Sequence, residues 1–500
     1  MSCDVRSFYK DKNVLLTGGT GFLGKMIVEK LLRTCDVEGI YLIVRPKKGL
    51  APEERLKSLF EEPILAKIRE NKWKYYKKIH ALEGNLAKKE LGLSEEDKEL
   101  IRNKINIVFH CGAFLNMDSK LSEAIITNVR GTLEILELIK GTQNFDAFVQ
   151  ISTSYSNCYE KVIKEKFYPP PVDPELLIRM SEELSPNILS SITNELIGKW
   201  PNCYVFTKAV AENLLLTKAK NLPVGLFRPA IVTSTVSEPI AGWSDNLYGP
   251  LGIVLSSYCG ILRIIRANGN LKSHTVPGDM CINAILCFAW DLNNKWKTSQ
   301  DTYNPPVMNF SAKNTKLLLS VRQYIDCINR SDYPPFKKAM WHQMLFLIES
   351  KFCYIILKFL LHTVPAYLID SLLIMSARKA RMKSIYVKIE KTSDILSHFL
   401  MNEWDISNES VKKMWENLDE KDRELFNFDI NSIDLNLYFK NMVTGMKKFI
   451  LKEDMTKAKI HKQRYKRLTL LHYTLKYSLI GLSVIPVYRT ISRLVSQKKR

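Results

Sequence analysis

Paired cysteines are missing from this sequence. Its ten cysteines form no Cys-x-x-Cys motif, and none stands at ligand spacing from one of the eight histidines. A zinc site is therefore not expected and no metal is assigned. Free thiols in a reducing compartment are the expectation. Acidic side chains are in deficit, 52 Asp plus Glu against 73 Lys plus Arg, giving a formal net charge of +21. Such an excess suits an anionic membrane surface, a polyphosphate ligand or a nucleic acid. Nucleic acid is set aside, because the basic residues are dispersed and no recognition motif occurs. Internal repeats and low-complexity stretches are absent. The opening stretch, MSCDVRSFYKDKNVLLTGG, has no apolar h-region or cleavage site, so a cleaved secretion signal is not expected. The final residues do not spell the Ser-Lys-Leu peroxisomal signal.

What is present is rhythm. A chain of 500 residues exceeds one average domain. Over roughly the first 290 residues, short β-rich runs alternate with helical patterns, the mark of a parallel sheet with crossover helices. Strands are predicted at residues 13–17 (NVLLT), 40–45 (IYLIVR), 79–83, 105–110, 148–152 and 224–227, and helices at 22–33, 95–103, 119–139 and 203–217. Residues 160–200 read as an insertion containing YPPPVDP, whose prolines fix extended backbone. From about Ser311 the alternation gives way to helical, aromatic and basic sequence. Residues 340–374 are strongly apolar but broken by Glu349, Lys351, Lys358, Pro365 and Asp370. They fit a buried helical hairpin, with membrane association as the alternative. Residues 404–452 read as further helices. A last apolar stretch, 469–488, is flanked by KAKIHKQRYKR and SQKKR and interrupted by Lys476 and Pro486. It is marginal for a span of ~20 apolar residues, so it crosses a bilayer, lies in the interface, or packs on protein as an amphipathic helix.

The first turn carries the clearest ligand signal. Thr17-Gly18-Gly19-Thr20-Gly21-Phe22-Leu23-Gly24 follows a predicted strand and opens a predicted helix. Gly18 permits the tight turn, Gly21 lets the backbone approach a pyrophosphate, and Gly24 allows close helix packing. The helix N-terminus then offers free N–H groups to phosphate. The second strand ends in Arg45, followed by Lys47 and Lys48, where an NAD enzyme usually places an acid for the ribose 2′-hydroxyl. Arg45 cannot accept a hydrogen bond but pairs with a 2′-phosphate, so NADPH is the expected cofactor. Asn85 and Leu86, after the third strand, are candidates for the adenine. Gly112 and Ala113, after the fourth, are small enough for the cofactor to lie on backbone.

Tyr204-Val205-Phe206-Thr207-Lys208 is the sharpest chemical signal, since residues four apart share one helix face. An ammonium near a phenol favours proton exchange near neutrality. The strand ending Ile151-Ser152-Thr153-Ser154 offers hydroxyls to a substrate oxygen. Together these point to a Tyr-Lys reductase or epimerase.

The glycine turn, the Ser/Thr strand end and Tyr-x-x-x-Lys resemble the extended short-chain dehydrogenase/reductases. YPPPVDP, PNCYVFTKAVAE, FRPAIV, EPIAGWSDNLYGP, HTVPAYLID, NEWDISNESV and WENLDEKDRELFNFDINSID narrow this. In that order, over nearly the whole chain, they resemble the alcohol-forming fatty acyl-CoA reductases of animals. Two departures stand out. Ser154 replaces the usual Ala, leaving Thr153 and Ser154 as alternative catalytic hydroxyls. Gly278 stands where the family tends to carry Val, which is expected to loosen the turn 276–280.

The resemblance implies an α/β fold: a Rossmann-type doubly wound parallel sheet with a mostly helical C-terminal domain and a hydrophobic C-terminal segment. Residues 1–310 would form the NADPH-binding domain, with 229–310 on the substrate side, and 311–460 the helical domain. It implies reduction of long-chain acyl-CoA to a primary alcohol with two NADPH, through an aldehyde-level intermediate. Tyr204, Lys208 and Thr153 or Ser154 would be catalytic; Cys111 and Cys203 would be small buried filler. The insertion, the Gly242-Trp243 turn and the C-terminal helices would wall the acyl tunnel. The protein is expected at a membrane, facing the cytosol, at the endoplasmic reticulum rather than the peroxisome. Oligomeric state is open.

Overall fold

The computed structural model describes residues 5–70, 75–117, 120–299, 302–329 and 335–498, with backbone alone at 479 and 483–498. The chain forms two compact units, interleaved in sequence. The first comprises Met1–Asn246, Gly269–Cys327 and His398–Gly445; the second comprises Leu247–Asn268, Ile328–Ser397 and Met446–Arg500. Neither is one of the contiguous stretches that local pattern delimits.

The first unit is built on seven strands: β1 (Asn13–Thr17), β2 (Gly39–Val44), β3 (Ile79–Glu83), β4 (Ile107–His110), β5 (Ala147–Ile151), β6 (Val224–Pro229) and β7 (Val307–Phe310). They lie in the order β7-β6-β5-β4-β1-β2-β3, every neighbouring pair parallel. Sheets of this kind are covered on both faces, so their strands read as continuous apolar runs. β2 (GIYLIV) is buried at every residue, whereas the edge strand β3 is buried only at Ile79 and Leu82. The chain runs outward from β1 to β3 and then returns to the other side of β1 as β4. That reversal opens a crevice at the carboxyl ends of β1 and β4. In register, Thr17 ends β1 beside His110 at the end of β4.

Helix α1 (Phe22–Thr34) follows β1 directly. Helix α2, residues 121–139, contains a π-helical stretch, Ile125–Arg130, which the sequence pattern does not reveal. Ser119, the expected start, lies outside the described residues. Helix α3 (Cys203–Lys218) and helix α4 (Gly278–Thr298) complete the cover. Phe288 of α4 packs on Phe227 of β6 with ring centroids 5.7 Å apart.

The insertion is short helices, Pro174–Glu183, Pro186–Ser191 and Thr193–Ile197, preceded by a strand, Val162–Ile163. That strand pairs in parallel with Asp405–Ile406, so chain from beyond Ser311 returns to the Rossmann unit. Gly278 does not loosen its turn. It opens α4 in a tight space, where an added Cβ would meet Met26 Sδ at 3.0 Å and the Thr233 carbonyl at 3.1 Å. The next residue, Asp279, accepts from the backbone N–H groups of Val236, Ser237 and Glu238 at 2.8–2.9 Å.

The second unit holds the strand pair Ile264–Arg266 and Phe346–Ile348, then helix α5 (Lys351–Met375) and helix α6 (Met382–Leu400). Instead of a buried hairpin, α5 is one helix with a largely exposed apolar surface. Pro365 does not break it. A π-helical stretch, Phe359–Thr363, relieves the ring clash, and the Leu361 carbonyl that Pro365 cannot bond accepts from Arg263 Nη1 at 2.9 Å. Among the described residues, α5 is the one helix long and apolar enough to cross a membrane. The 469–488 segment lies within the 41-residue helix α7 (Ala458–Lys498), exposing Leu470, Leu471, Leu475 and Tyr477. Its side chains at 479 and 483–488 lie outside the description.

The turn at Gly242 closes part of the first unit. Gly242 sits at φ +73°, and a Cβ there would overlap the carbonyl of Asn441 in the helix Leu435–Gly445. Gly49 has a similar φ, +77°, with nothing within 4 Å of an added Cβ. Gly49→Ala should cost about 1 kcal/mol of stability in urea melts, from backbone strain alone. Gly242→Ala should cost at least about 2 kcal/mol, because overpacking adds to that strain.

Candidate active site

The nucleotide corner is assembled at the end of β1. Thr17 is fully buried; its hydroxyl pairs with His110 Nδ1 at 2.7 Å and accepts the Gly112 N–H at 2.9 Å. Burial pushes the His110 imidazole down to about 3, so it stays neutral, its Nε2 3.1 Å from Thr132 Oγ1. The turn that follows is held by the Gly21 N–H donating to the Gly18 carbonyl at 2.8 Å. Gly18 sits at φ +71°, and a Cβ there would stand 2.8 Å from the Gly112 nitrogen. A Cβ on Gly24 would overlap the Gly18 carbonyl. Gly21 caps α1 in extended conformation without a side-chain bond, and no acid occupies the first turn. The leading N–H groups and the positive end of the helix dipole therefore face the crevice for an anion.

The flanking residues divide into those that face this corner and those that support it. Phe22 stacks on Trp243 at 5.5 Å, and Leu23 is half-buried. Asn85 Oδ1 accepts the Ala87 N–H at 3.0 Å, which spends that oxygen on its own loop. Leu86 lies over Gly112, leaving no room for a Cβ, and Ala113 is half-buried beside it. Arg45 is exposed at the end of β2. Its carbonyl accepts Arg55 Nη1 at 2.6 Å, while Arg55 Nη2 donates to Thr20 Oγ1 at 2.8 Å. Burial, then the charge of Arg45, lowers the Arg55 pKa. The Arg55 guanidinium is thus fixed beside the glycine turn, bonded to the Arg45 main chain, and a guanidinium so placed suits an anionic phosphate. Sequence reading singled out Arg45 and did not consider Arg55; the signal available was a second Arg on the helix that Pro52 opens.

Helix α3 carries the candidate Tyr-Lys pair. Asn202 caps it, its Oδ1 accepting the Val205 N–H at 3.1 Å. Tyr204, Lys208 and Glu212 follow at four-residue intervals and share one face. Lys208 is buried, and its ammonium donates to the Ile151 carbonyl at the end of β5 at 2.8 Å. Burial brings its pKa down to about 8 against the opposing charges of Cys111 and Glu212. The half-buried Tyr204 phenol is pushed up by burial, so it is protonated at neutral pH. The Cys111 thiol is pushed up to about 12 and the Cys203 thiol is also raised, both by burial.

The two hydroxyls after β5 differ. Ser154 is fully buried and donates to the Arg228 carbonyl at 2.8 Å. Thr153 Oγ1 instead accepts the Tyr155 N–H at 3.2 Å. Sequence reading also missed three supports. Asn128, on the π-helical stretch of α2, donates to Thr207 of α3 at 3.0 Å and accepts from the Phe114 N–H at 2.7 Å, tying the loop after β4 to α3. Glu212 and Arg228 form a buried pair with two bonds, at 3.0 and 2.5 Å, and Glu212 also accepts from Ser152 at 2.6 Å. Spacing hinted at Glu212, four residues past Lys208; Arg228 is marked only as the one charge in an apolar strand, within FRPAIV.

The chain matches the family described as male sterility protein over residues 16–285 and again over 361–453. Fatty acyl-CoA reductase wat of Drosophila melanogaster is 39% identical over 472 residues, covering 94% of this chain and 90% of that protein. Human fatty acyl-CoA reductase 1 is 34% identical over 453 residues, covering 90% and 87%. This chain belongs to the fatty acyl-CoA reductase family. It is thus an oxidoreductase that uses a nicotinamide cofactor. The reductase domain of a non-ribosomal peptide synthetase from Mycobacterium tuberculosis shares the fold, with a TM-score of 0.58 at 17% identity, covering 88% of this chain and 93% of that one. The terminal reductase domain of the myxalamid pathway gives 0.55 at 17%, covering 87% and 90%.

In this reductase, Glu212→Ala should destabilise the protein by about 3–5 kcal/mol, because Arg228 is left charged, buried and unpaired. Replacing both, Glu212→Leu with Arg228→Met, should recover most of that loss in urea melts. A double variant no more stable than Glu212→Ala would contradict the pairing.

Proposed function

We propose that this reductase converts long-chain fatty acyl-CoA to primary fatty alcohol with two NADPH, passing through an aldehyde-level intermediate. The observation that carries the proposal is the placement of Tyr204 one helical turn from Lys208, whose ammonium is fixed to the Ile151 carbonyl beside the dinucleotide crevice. The fatty acyl-CoA reductases it resembles support the substrate class.

A bound NADPH would supply one hydride to the thioester carbonyl, and a second NADPH, taken up after the spent NADP leaves, would supply another to the aldehyde. Tyr204, kept neutral by burial, gives its proton to the carbonyl oxygen as charge develops there. Lys208, with a pKa of about 8, restores that proton and holds the nicotinamide ribose. Thr153 donates to the same oxygen; the Ser154 proton is already spent on Arg228. The thiohemiacetal then collapses with coenzyme A as leaving group, so no protein nucleophile is required, and the raised thiols of Cys111 and Cys203 suit them to packing. Arg45 and Arg55 bind the 2′-phosphate that distinguishes NADPH. The enzyme works at the cytosolic face of the endoplasmic reticulum, where exposed apolar side chains of α7 within residues 469–488 touch lipid.

Expression in a host without fatty alcohols, followed by gas chromatography, tests the activity. Tyr204→Phe should lower alcohol output at least about 100-fold, within the usual span for a general acid, while NADPH binding stays within about threefold. Turnover surviving that change would refute the proton donor. Arg45→Ala with Arg55→Ala should lower the preference for NADPH over NADH by about 10–100-fold, the worth of charge-assisted bonds to phosphate. An unchanged preference would remove the 2′-phosphate assignment.

A further inference from the structure

We propose that α5 is an in-plane membrane anchor, a helix that beds its outer apolar face into an anionic phospholipid surface without crossing it. Its composition alone would permit a span: at a 1.5 Å rise, 25 residues reach about 37 Å, against a hydrocarbon core of about 30 Å. The way it is held argues otherwise.

One stripe of α5 is bound to protein along its length. Tyr354, His362, Ala366 and Asp370 are buried, at spacings that keep them on one side. His362 Nε2 accepts the Arg263 N–H at 3.1 Å and its ring stacks on Tyr386 of α6 at 4.9 Å. Ala366 packs with Met382 and Tyr386. Asp370 accepts the N–H groups of Arg381, Met382 and Lys383 at 2.8–2.9 Å and so caps α6. A spanning helix would drag Arg263, Arg381 and Lys383 into hydrocarbon or abandon these bonds.

The opposite side is apolar and open. Phe352 is 73% exposed, Phe359 56%, Leu368 62%, Leu372 63% and Met375 83%. Charge complements this face. Between residues 349 and 390, seven Lys and Arg stand against three acids, and Asp370 is consumed in its cap. Lys351 at one end of α5, and Arg378, Lys379 and Arg381 past the other, are exposed. An apolar face bordered by basic residues is what an anionic bilayer interface takes up.

The test uses the full chain and reads docking separately from chemistry. In a Leu470→Asp, Leu475→Asp background, which removes the α7 lipid contact, Leu368→Asp with Leu372→Asp should lower flotation with phosphatidylcholine–phosphatidylserine vesicles at least about tenfold and leave turnover in detergent unchanged. Variants that float like that background overturn the proposal. So does loss of an oligomer without loss of flotation, which would give the face to a second copy. Depth is read with a nitrobenzoxadiazole dye on the exposed Cys353, in a Cys3→Ser background, or on Met375→Cys with Cys353→Ser added. In reconstituted vesicles of one-sided orientation, external dithionite should bleach both positions or protect both together. Protection of one position and bleaching of the other marks a span and contradicts in-plane docking.

Discussion

Helix α3 depends on a buried ion pair between Glu212 and Arg228. Arg228 is fully buried and Glu212 nearly so, and an unpaired charge in that position would be severely destabilising. The pair persists because its remaining bonds are met. Glu212 accepts from Ser152 as well as Arg228, while Arg228 Nη1 donates to the Lys166 carbonyl at 3.0 Å. One interaction thus joins α3, β6, the end of β5 and the start of the insertion. Since Lys208 and Tyr204 stand one and two turns before Glu212 on the same face, fixing Glu212 also fixes them.

Much of the Rossmann half was legible. β1 and the glycine turn announce themselves through a buried run followed by glycines at fixed offsets, and buried strands read as continuous apolar stretches. Strand and helix ends shift by a residue or two, as hydrogen bonding rather than pattern sets them. What stayed hidden needs three dimensions. Arg55 reaches Thr20 across a loop, Arg228 meets Glu212 from another strand, and Asn128 acts from a π-helical stretch that apolar spacing does not display. Thr153 and Ser154 look equivalent in sequence; in the fold their hydrogen bonds differ.

The second unit shows the opposite limit. Apolar content reads as burial, and Pro365 reads as a break, so residues 340–374 suggest a hidden hairpin. Neither inference holds, because π-helical geometry absorbs the proline and the apolar side faces outward. The interleaving of the two units is equally invisible to local pattern, since the returning stretch His398–Gly445 is recognised by its partners in the first unit: Trp404 donates to the Cys158 carbonyl at 2.9 Å, and Tyr438 meets Thr233 at 2.5 Å.

The central claim is that one crevice delivers hydride twice to the same carbon. Purified protein supplied with palmitoyl-CoA and NADPH deuterated at the transferred position tests it, with products read by mass spectrometry. Hexadecanol carrying two deuterium atoms on its first carbon is the predicted result. Aldehyde as the sole product, or alcohol bearing a single deuterium, would contradict the account.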